Sequence, residues 1–186
     1  YVELEIGGQV IDKHYGEWMA LWCDLSHTKD QYNMLQKIVG NELSISSSNS
    51  AYKKMYIPLQ FWFCRNPGLA LPLIALQYHE VKLNIKLSTF DNSGEIETLN
   101  EIQVYCDYIF LDTDERRRFA QVSHEYLIEQ VQFTGDETVQ STDRSRNFTL
   151  NFNHPVKELV WVHVTSTSIT ANKWLNFSNS TVVTHT

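Results

Sequence analysis

The sequence predicts a mainly β protein: an antiparallel sandwich or barrel with short inserted helices. Several short runs alternate apolar and polar residues with the period of two that is typical of strands. Clusters of turn-forming residues separate these runs. The chain lacks the regular succession of strands and long helices that a parallel sheet requires. The 9 Tyr, 9 Phe and 5 Trp residues also favour strands.

The first predicted element is a half-buried strand over Val2 to Ile6, in which apolar residues alternate with glutamates. Gly7 and Gly8 follow it. Because both glycines tolerate a positive φ and stand between two extended runs, they predict a tight hairpin. The hairpin leads into a second strand that begins with Gln9 to Ile11.

Two helices are predicted after the hairpin, a short one over Glu17 to Leu25 and a longer one over Thr28 to Gly40. Thr28 and Gln31 have the spacing of a capping box, and Gly40 suits the left-handed position that follows a helix end. Apolar residues recur on one face of the longer helix: Tyr32, Leu35, Ile38 and Val39.

Further strands are predicted along the rest of the chain. Val81 to Leu87 alternates most regularly, so its lysines should face solvent or acidic neighbours. Ile102 to Leu111 is apolar on both faces, which is typical of a central strand. The other strand-like runs are Met55 to Phe63, Tyr126 to Phe133, Phe148 to Phe152 and Glu158 to Val164. Polar loops or turns are predicted at Ser46 to Ser50, Asp91 to Gly94 and Gly135 to Arg146.

A short helical link is predicted over Asp112 to Phe119. Asp112 and Glu115 have the spacing of a helix cap, and the arginines Arg116 to Arg118 follow at once. A run of arginines can hold phosphate or an acidic partner. The acidic residues beside it favour a self-neutralised, solvated turn or a clamp between domains instead.

Composition excludes several classes of protein. The formal charge of −7, from 15 Lys and Arg against 22 Asp and Glu, would repel phosphate backbones, so direct nucleic-acid binding is not expected. Cys23, Cys64 and Cys106 have no CxxC spacing, which indicates free thiols and not a zinc site. The longest apolar run, Leu69 to Leu76, is too short to span a membrane. The sequence opens on Tyr1 inside an alternating run, which indicates a partial chain.

No pattern favours a metal site or a cofactor. The histidines are dispersed, and Glu129 stands where a zincin motif that starts at His124 would need its second histidine. We therefore expect no metal-binding and no cofactor-binding residues. The histidines are His14, His27, His79, His124, His154, His163 and His185.

Catalytic residues are not expected either. Cys64 beside Arg65 could be an activated nucleophile, but a small buried hydrophobic residue at the end of an aromatic strand is the favoured interpretation. The pairs Glu3 with Glu5, and Asp112 with Asp114, could be the two carboxylates of a glycosidase, but they are better explained as solvated side chains. The sequence predicts no enzyme.

Four long motifs together resemble the major capsid proteins of large nucleocytoplasmic DNA viruses, such as those that infect algae and insects. The likeness extends to about Val164, and no motif is recognised from Thr165 onward. Val10 stands where family members often carry a polar residue. The motifs are VELEIGGQVIDKHYGEW (2–18), YIPLQFWFCRNPGLALP (56–72), IFLDTDERRRF (109–119) and YLIEQ (126–130).

The resemblance implies a double jelly-roll fold, with residues 1–119 as the latter part of the first jelly roll and residues 120–186 as the incomplete beginning of the second. It implies a homotrimeric, pseudo-hexagonal capsomer that tiles an icosahedral shell. The implied partners are copies of the protein, neighbouring capsomers and minor capsid proteins. The implied location is the virion, with assembly in the host cytoplasm.

Two other functions remain alternatives. A carbohydrate-binding β-sandwich would align exposed aromatic side chains on one open face, whereas Trp62 lies in a strongly apolar run and is expected in the core. A hydrolase on a jelly-roll scaffold would need acidic residues or histidines clustered in a cleft. The aromatic candidates for sugar stacking are Trp18, Trp22, Trp62, Trp161 and Trp174.

Overall fold

The structure, a computed structural model, describes residues 1–39, 54–87 and 101–166. The strands in these ranges are β1 (Val2–Ile6), β2 (Gln9–His14) and β3 (Val81–Ile85). The helices are α1 (Gly16–Ser26), α2 (Lys29–Val39), α3 (Trp62–Arg65) and α4 (Thr113–Gln121), and a 3₁₀ turn covers Pro67–Leu69. The predictions for Gly40, Ser46 to Ser50, Asp91 to Gly94, Trp174 and His185 lie outside the described residues.

The chain divides into two compact units. The first comprises Tyr1–His14 and Leu59–Gln130, and it holds the three strands together with α3 and α4. The second comprises Tyr15–Pro58 and Val131–Thr186, and it holds α1 and α2. No helix in the described ranges is long and apolar enough to cross a membrane.

The sheet of the first unit is antiparallel, with the strand order β2-β1-β3. The predicted alternation places Val2 and Leu4 on the buried face, where they are 7% and 2% exposed. Leu83 lies opposite Leu4, and Ile85 lies opposite Val2. The predictions of strands at Val2 to Ile6 and from Val81 onward are confirmed, although β3 ends two residues before Leu87.

The hairpin between β1 and β2 turns on Gly7 and Gly8, whose φ angles are +60° and +84°. Positive φ at both central residues is the geometry of a type I′ turn, whose twist matches that of the strands. The amide of Gly7 also donates to the carbonyl of Glu80 at 3.0 Å, which ties the turn to the start of β3. The predicted hairpin is therefore confirmed.

Replacing Gly7 by alanine is expected to destabilise this hairpin more than replacing Gly8. Both substitutions force a side chain into the left-handed region, at a cost of about 1–2 kcal/mol. A Cβ at Gly7 would also lie 2.6 Å from Nδ1 of His79, whereas a Cβ at Gly8 would meet nothing within 4 Å. Urea unfolding should give a lower midpoint for Gly7→Ala than for Gly8→Ala. Equal midpoints would show that His79 moves aside freely.

A β-bulge at Ile11 decides which face of β2 is buried. Glu5 pairs with Val10, but Leu4 pairs with Asp12, so β2 carries one residue more than β1 over this stretch. Because neighbouring residues of a strand point to opposite faces, one extra residue reverses the facing of all that follow. Asp12 and His14 are consequently buried, and Lys13 lies on the opposite face with Glu3.

The core of the first unit is completed by Phe61 and Trp62, which are 0% and 6% exposed. Met55 to Phe63 was predicted as a strand, and this prediction is wrong, because the chain runs without regular structure up to Phe61 and then forms α3. A strand would direct these neighbouring side chains to opposite faces. Phe61 precedes α3 and Trp62 is its first residue, so the two side chains do not follow that alternation, and both are buried. The expectation that Trp62 lies in the core is confirmed.

Four more predicted strands are absent from the described residues. Ile102 to Leu111, Tyr126 to Phe133, Phe148 to Phe152 and Glu158 to Val164 have no regular secondary structure. Ile102 to Leu111 is also exposed where a central strand would be buried: Phe110 is 93% and Tyr105 is 73% exposed. A strand exists only where a neighbour pairs with its backbone, and a favourable side-chain pattern does not supply that neighbour.

In the second unit both predicted helices are confirmed. The amide of Thr28 donates to Oε1 of Gln31 at 3.0 Å, and the amide of Gln31 approaches Oγ1 of Thr28 at 3.4 Å, so the predicted capping box forms. Tyr32, Leu35 and Val39 are half-buried on α2, and Ile38 is 40% exposed. Burial of Cys23 on α1 raises the pKa of its thiol, and the charge of Asp24 raises it further.

Candidate functional site

Ion pairs and amide contacts cover the exposed face of the sheet. Nζ of Lys13 lies 3.4 Å from Glu3, and Nδ2 of Asn84 donates to Glu3 at 3.4 Å and to Glu5 at 3.3 Å. Lys82 lies 3.1 Å from Glu80 and 4.0 Å from Glu5. A hydrogen bond to Glu80, with the charges of Glu80 and Glu5, raises the pKa of Lys82. Lys82 thus meets acidic neighbours, as predicted for the lysines of this strand.

Glu3 and Glu5 consequently have a structural explanation. Their carboxylates lie across adjacent strands from lysines and an asparagine amide, where opposite charges stabilise the pairing of strands. The two acids of the other pair considered from the sequence, Asp112 and Asp114, make different contacts. Asp112 caps α4, and Asp114 lies 3.6 Å from Arg117. Both arrangements agree with the interpretation of these acids as structural or solvated.

The polar pair buried in the first unit consists of Asp12 and His14. Their side chains are 1% and 2% exposed, and Nε2 of His14 lies 3.0 Å from Oδ2 of Asp12. The imidazole also stacks on Phe61, with ring centroids 4.4 Å apart. The pair lies two residues apart on one strand face and is enclosed by the core. It therefore holds the hairpin against Phe61 and offers no access to a substrate.

Cys64 was predicted to be a small buried residue at the end of a strand, and this prediction is wrong. Cys64 is exposed and lies within α3. The alternative, an activated nucleophile, needs a lowered pKa. Desolvation raises the pKa of this thiol and the charge of Cys106 adds to the rise, while a hydrogen bond with the backbone of Phe61 and the charge of Arg65 lower it. The net rise argues against a thiolate nucleophile.

The position of Arg65 explains why it lowers the pKa of the Cys64 thiol only slightly. Its guanidinium lies 3.2 Å from the carboxylate of Glu129, which neutralises much of its field. Close by along the chain, Nε2 of Gln130 donates to the carbonyl of Ile11 at 2.6 Å. Glu129 therefore serves as an anchor between α3 and the segment around 130, and Gln130 fastens that segment to the bulge in β2.

Alkylation of Cys64 by iodoacetamide is expected to be slow at pH 7 and to accelerate as the pH rises well above the usual range for a thiol. The raised pKa leaves little thiolate at neutral pH. Peptide mapping by mass spectrometry would give the rate at this residue across a pH series. Arg65→Gln should slow the reaction further, because Arg65 lowers the pKa. Fast alkylation at pH 7 would contradict the raised pKa of the Cys64 thiol.

The histidines in the described ranges are not grouped with other ligand-type side chains. Among the described residues, no three His, Cys, Asp or Glu side chains are grouped so that they could hold a metal ion. His124 makes a different contact: its Nε2 lies 2.7 Å from the carbonyl oxygen of Phe119, and its ring stacks on Phe119 at 4.9 Å. The carbonyl of Phe119 is one of those left without a partner at the end of α4, so His124 caps that helix.

Helix α4 confirms the predicted short helix and its cap. The amide of Glu115 donates to Asp112 at 2.9 Å, and Oε2 of Glu115 accepts from the amide of Asp112 at 3.2 Å. Arg117 is paired with Asp114 along the helix. No carboxylate in the described ranges lies within ion-pair distance of Arg116 or Arg118. The acidic neighbours therefore neutralise only part of the arginine run, which the sequence predicted to be self-neutralised.

An apolar hollow of about 430 Å³ lies in the first unit, beside α3 and the end of α4. Its polar groups are few, and the imidazole of His124 is already engaged by Phe119. A catalytic site needs several converging polar groups, which this hollow does not supply. The lining residues are Ile6, Trp62, Leu69, Ala70, Leu71, Pro72, Ala75, Leu76, Ala120, Val122, Ser123, His124, Tyr126 and Ile128.

The tryptophans do not all suit a sugar-stacking face. Trp62 is buried in the core of the first unit, so it cannot stack on a ligand. Trp18 and Trp22 are half-buried neighbours on α1, with ring centroids 5.8 Å apart. Trp161 is 85% exposed. Burial of Trp62 removes one of the five aromatic candidates on which the carbohydrate-binding alternative depended.

Sequence reasoning missed the buried pair of Asp12 and His14. Polar residues near a hairpin are normally assigned to the solvent face, and the alternation of β2 without its bulge would have placed Ile11 opposite Leu4. The signal was the pattern of Val10 and Ile11, adjacent apolar residues that break strict alternation. Such a break is typical of a bulge, but it does not tell which residue is the extra one.

Two family models match consecutive parts of the chain. Residues 1–112 match the N-terminal part of the major capsid protein, and residues 115–186 match the major capsid protein of large eukaryotic DNA viruses. The first match alone covers more than half of the chain. The junction between the two matches falls at the start of α4.

Individual relatives agree with the family models. The chain is 53% identical over 174 residues to the major capsid protein of Pyramimonas orientalis virus, covering 89% of the chain and 42% of that protein. It is 48% identical over 183 residues to capsid protein 1 of Acanthamoeba polyphaga mimivirus, covering 86% of the chain and 30% of that protein. The chain thus spans less than half the length of these relatives.

A solved structure is similar as well. The quasi-atomic model of the PBCV-1 virus capsid matches with a TM-score of 0.66 and 46% sequence identity, over 83% of this chain and 40% of that one. This likeness agrees with the mainly β class that the sequence predicts. The chain belongs to the major capsid protein family of large eukaryotic DNA viruses.

Proposed function

We propose that the full-length protein is a structural protein that builds the icosahedral shell of a large DNA virus. The observation that carries this proposal is the pair of family models, which follow one another along the chain and both describe major capsid proteins. The likeness to a capsid structure at a TM-score of 0.66 supports it independently. We further propose that the protein has no catalytic activity, since its polar clusters have structural roles.

The proposed fold of the whole protein is a double jelly roll. Residues 1–119 would form the latter part of the first jelly roll, and residues 120–186 would begin the second. The junction of the family models near residue 113 supports a boundary at α4. Exposure of apolar side chains between 102 and 111 supports further strand pairing there in the longer protein.

The proposed assembly is a homotrimeric, pseudo-hexagonal capsomer. Its partners would be copies of itself, neighbouring capsomers and minor capsid proteins, and it would not contact the genome directly, because the chain carries a charge of −7. The proposed location is the virion, after assembly in the host cytoplasm. Shell proteins need rigid sheets that hold complementary side faces at fixed angles, and they need no reactive group.

Electron microscopy of the purified full-length protein tests this proposal. Hexagonal trimers are the expected particles, and mass photometry should give three times the mass of one chain. Monodisperse monomers over a wide concentration range would contradict the assembly. A glycan array run on the same preparation tests the alternative function, a carbohydrate-binding β-sandwich. Such a sandwich would bind glycans as a monomer.

A further inference from the structure

We propose that residues 126–130, called the anchor segment below, fasten the beginning of the second jelly roll to the first. These residues follow α4, the proposed boundary between the two jelly rolls. The proposal rests on the proposed function, because the double jelly roll belongs to that function. It goes beyond it by naming the contacts that would hold the junction in one orientation.

The need for such an anchor follows from the packing of α4. None of its residues, all of which the structure describes, is buried, and Phe119 alone is half-buried. A short helix held by so few side chains cannot by itself fix the direction in which the chain continues. Domains of one chain move relative to each other unless an interface holds them. Contacts made after α4 are therefore needed to limit motion at this junction.

One side of the anchor segment is directed at the first unit. Tyr126 and Ile128 line the apolar hollow together with Trp62 and Leu71. Leu127, which stands between them, does not line the hollow and is 90% exposed. Alternate residues that face opposite ways are typical of an extended chain with one packed side. The apolar side of the anchor segment therefore lies along the hollow.

A charged contact holds the end of the anchor segment at α3. The carboxylate of Glu129 lies 3.2 Å from the guanidinium of Arg65, the last residue of α3. The side chain of Arg65 is 26% exposed and that of Glu129 is 44% exposed, so salt screens this pair less than a fully exposed pair. The contact joins residues that are far apart in the chain, and it ties the anchor segment to the first unit.

A hydrogen bond holds the same end at the bulge in β2. Nε2 of Gln130 donates to the carbonyl of Ile11 at 2.6 Å. Ile11 is the extra residue at the bulge, so it has no pairing partner in β1. A residue that is left unpaired at a bulge can bond to groups outside the strand pair. The bulge thus supplies the acceptor that Gln130 uses.

The test compares trypsin cleavage of full-length wild type with that of the double variant Glu129→Ala plus Gln130→Ala. Trypsin cleaves after arginine, and Arg116 to Arg118 are exposed on α4. Cleavage there requires the helix to open locally. Loss of both contacts should free the junction, so cleavage within α4 should accelerate on the order of tenfold. Mass spectrometry of the products locates the cut and gives its rate.

The matched control is Glu125→Ala plus Leu127→Ala, because both side chains are exposed and belong to the same stretch of chain. The cleavage rate of this control should equal that of wild type. A charge exchange tests the ion pair by itself. Arg65→Glu combined with Glu129→Arg should restore much of the protection that Glu129→Arg alone removes.

Three results would count against these proposals. Equal cleavage rates for wild type and the double alanine variant at 129 and 130 would overturn the anchor. Cleavage that spreads over the first unit, with a large fall in its melting temperature, would also overturn it, because the two contacts would then hold the unit itself together. Wild type that never forms trimers would overturn the proposed function instead, whatever the cleavage rates.

Discussion

Replacing Asp12 by alanine is expected to lower the free energy of unfolding of the full-length protein by about 3 kcal/mol, because it leaves one member of a buried pair without its partner. Asp12 and His14 are enclosed by the core, with 3.0 Å between Oδ2 and Nε2. Their desolvation has already occurred in the folded protein, so the loss of the contact is not offset by water.

The control for this prediction is Lys13→Ala, the neighbouring residue, whose ion pair with Glu3 lies on the exposed face. Exposed pairs are worth about 0–1 kcal/mol, so this change should cost little. The double variant Asp12→Ala plus His14→Phe should recover part of the loss, since phenylalanine keeps the stacking on Phe61 and leaves no polar atom buried. Urea unfolding monitored by circular dichroism gives the free energies. A cost for Asp12→Ala no larger than for Lys13→Ala would contradict the role of the pair.

Replacing Phe61 by alanine is expected to cost about 4 kcal/mol, the usual loss when a fully buried aromatic side chain is removed and a cavity remains. Phe61 is 0% exposed and stacks on His14 at 4.4 Å and on Phe63 at 5.7 Å. The cavity would therefore remove packing from the buried pair as well as from α3.

Phe61→Leu is expected to have an intermediate effect, because leucine fills most of the space of the phenylalanine ring but cannot stack on the imidazole of His14. We expect roughly half of the loss seen with alanine. Phe63→Ala should cost less than Phe61→Ala, since Phe63 is only half-buried. If all three variants unfolded at the same urea concentration, Phe61 would not be the centre of this core.

Most of the elements that the sequence predicts correctly have local signals. Two glycines specify the turn between β1 and β2, Thr28 with Gln31 begins α2, and Asp112 with Glu115 begins α4. Each signal involves residues at most four positions apart, and its geometry does not depend on the rest of the fold.

The predictions that failed depend on distant partners. Ile102 to Leu111 has the composition of a strand, yet no described segment pairs with it. Phe61 and Trp62 have high strand propensity, but Trp62 begins α3, and both side chains are buried in the core of the first unit. The bulge at Ile11 escaped prediction for a related reason, since its position depends on register against β1 and not on the sequence of β2 alone.

The extra residue in β2 allows this hairpin to lose one residue without turning the strand over. Deleting Ile11 would leave Asp12 opposite Leu4 and His14 opposite Val2, the partners that they have now, so both side chains would stay buried. Deleting Lys13 would instead make Asp12 and His14 adjacent, and one of them would then turn towards water, because neighbouring residues of a strand point to opposite faces. Homologous chains can therefore differ by one residue at the bulge and still bury the side chains at the positions of Asp12 and His14.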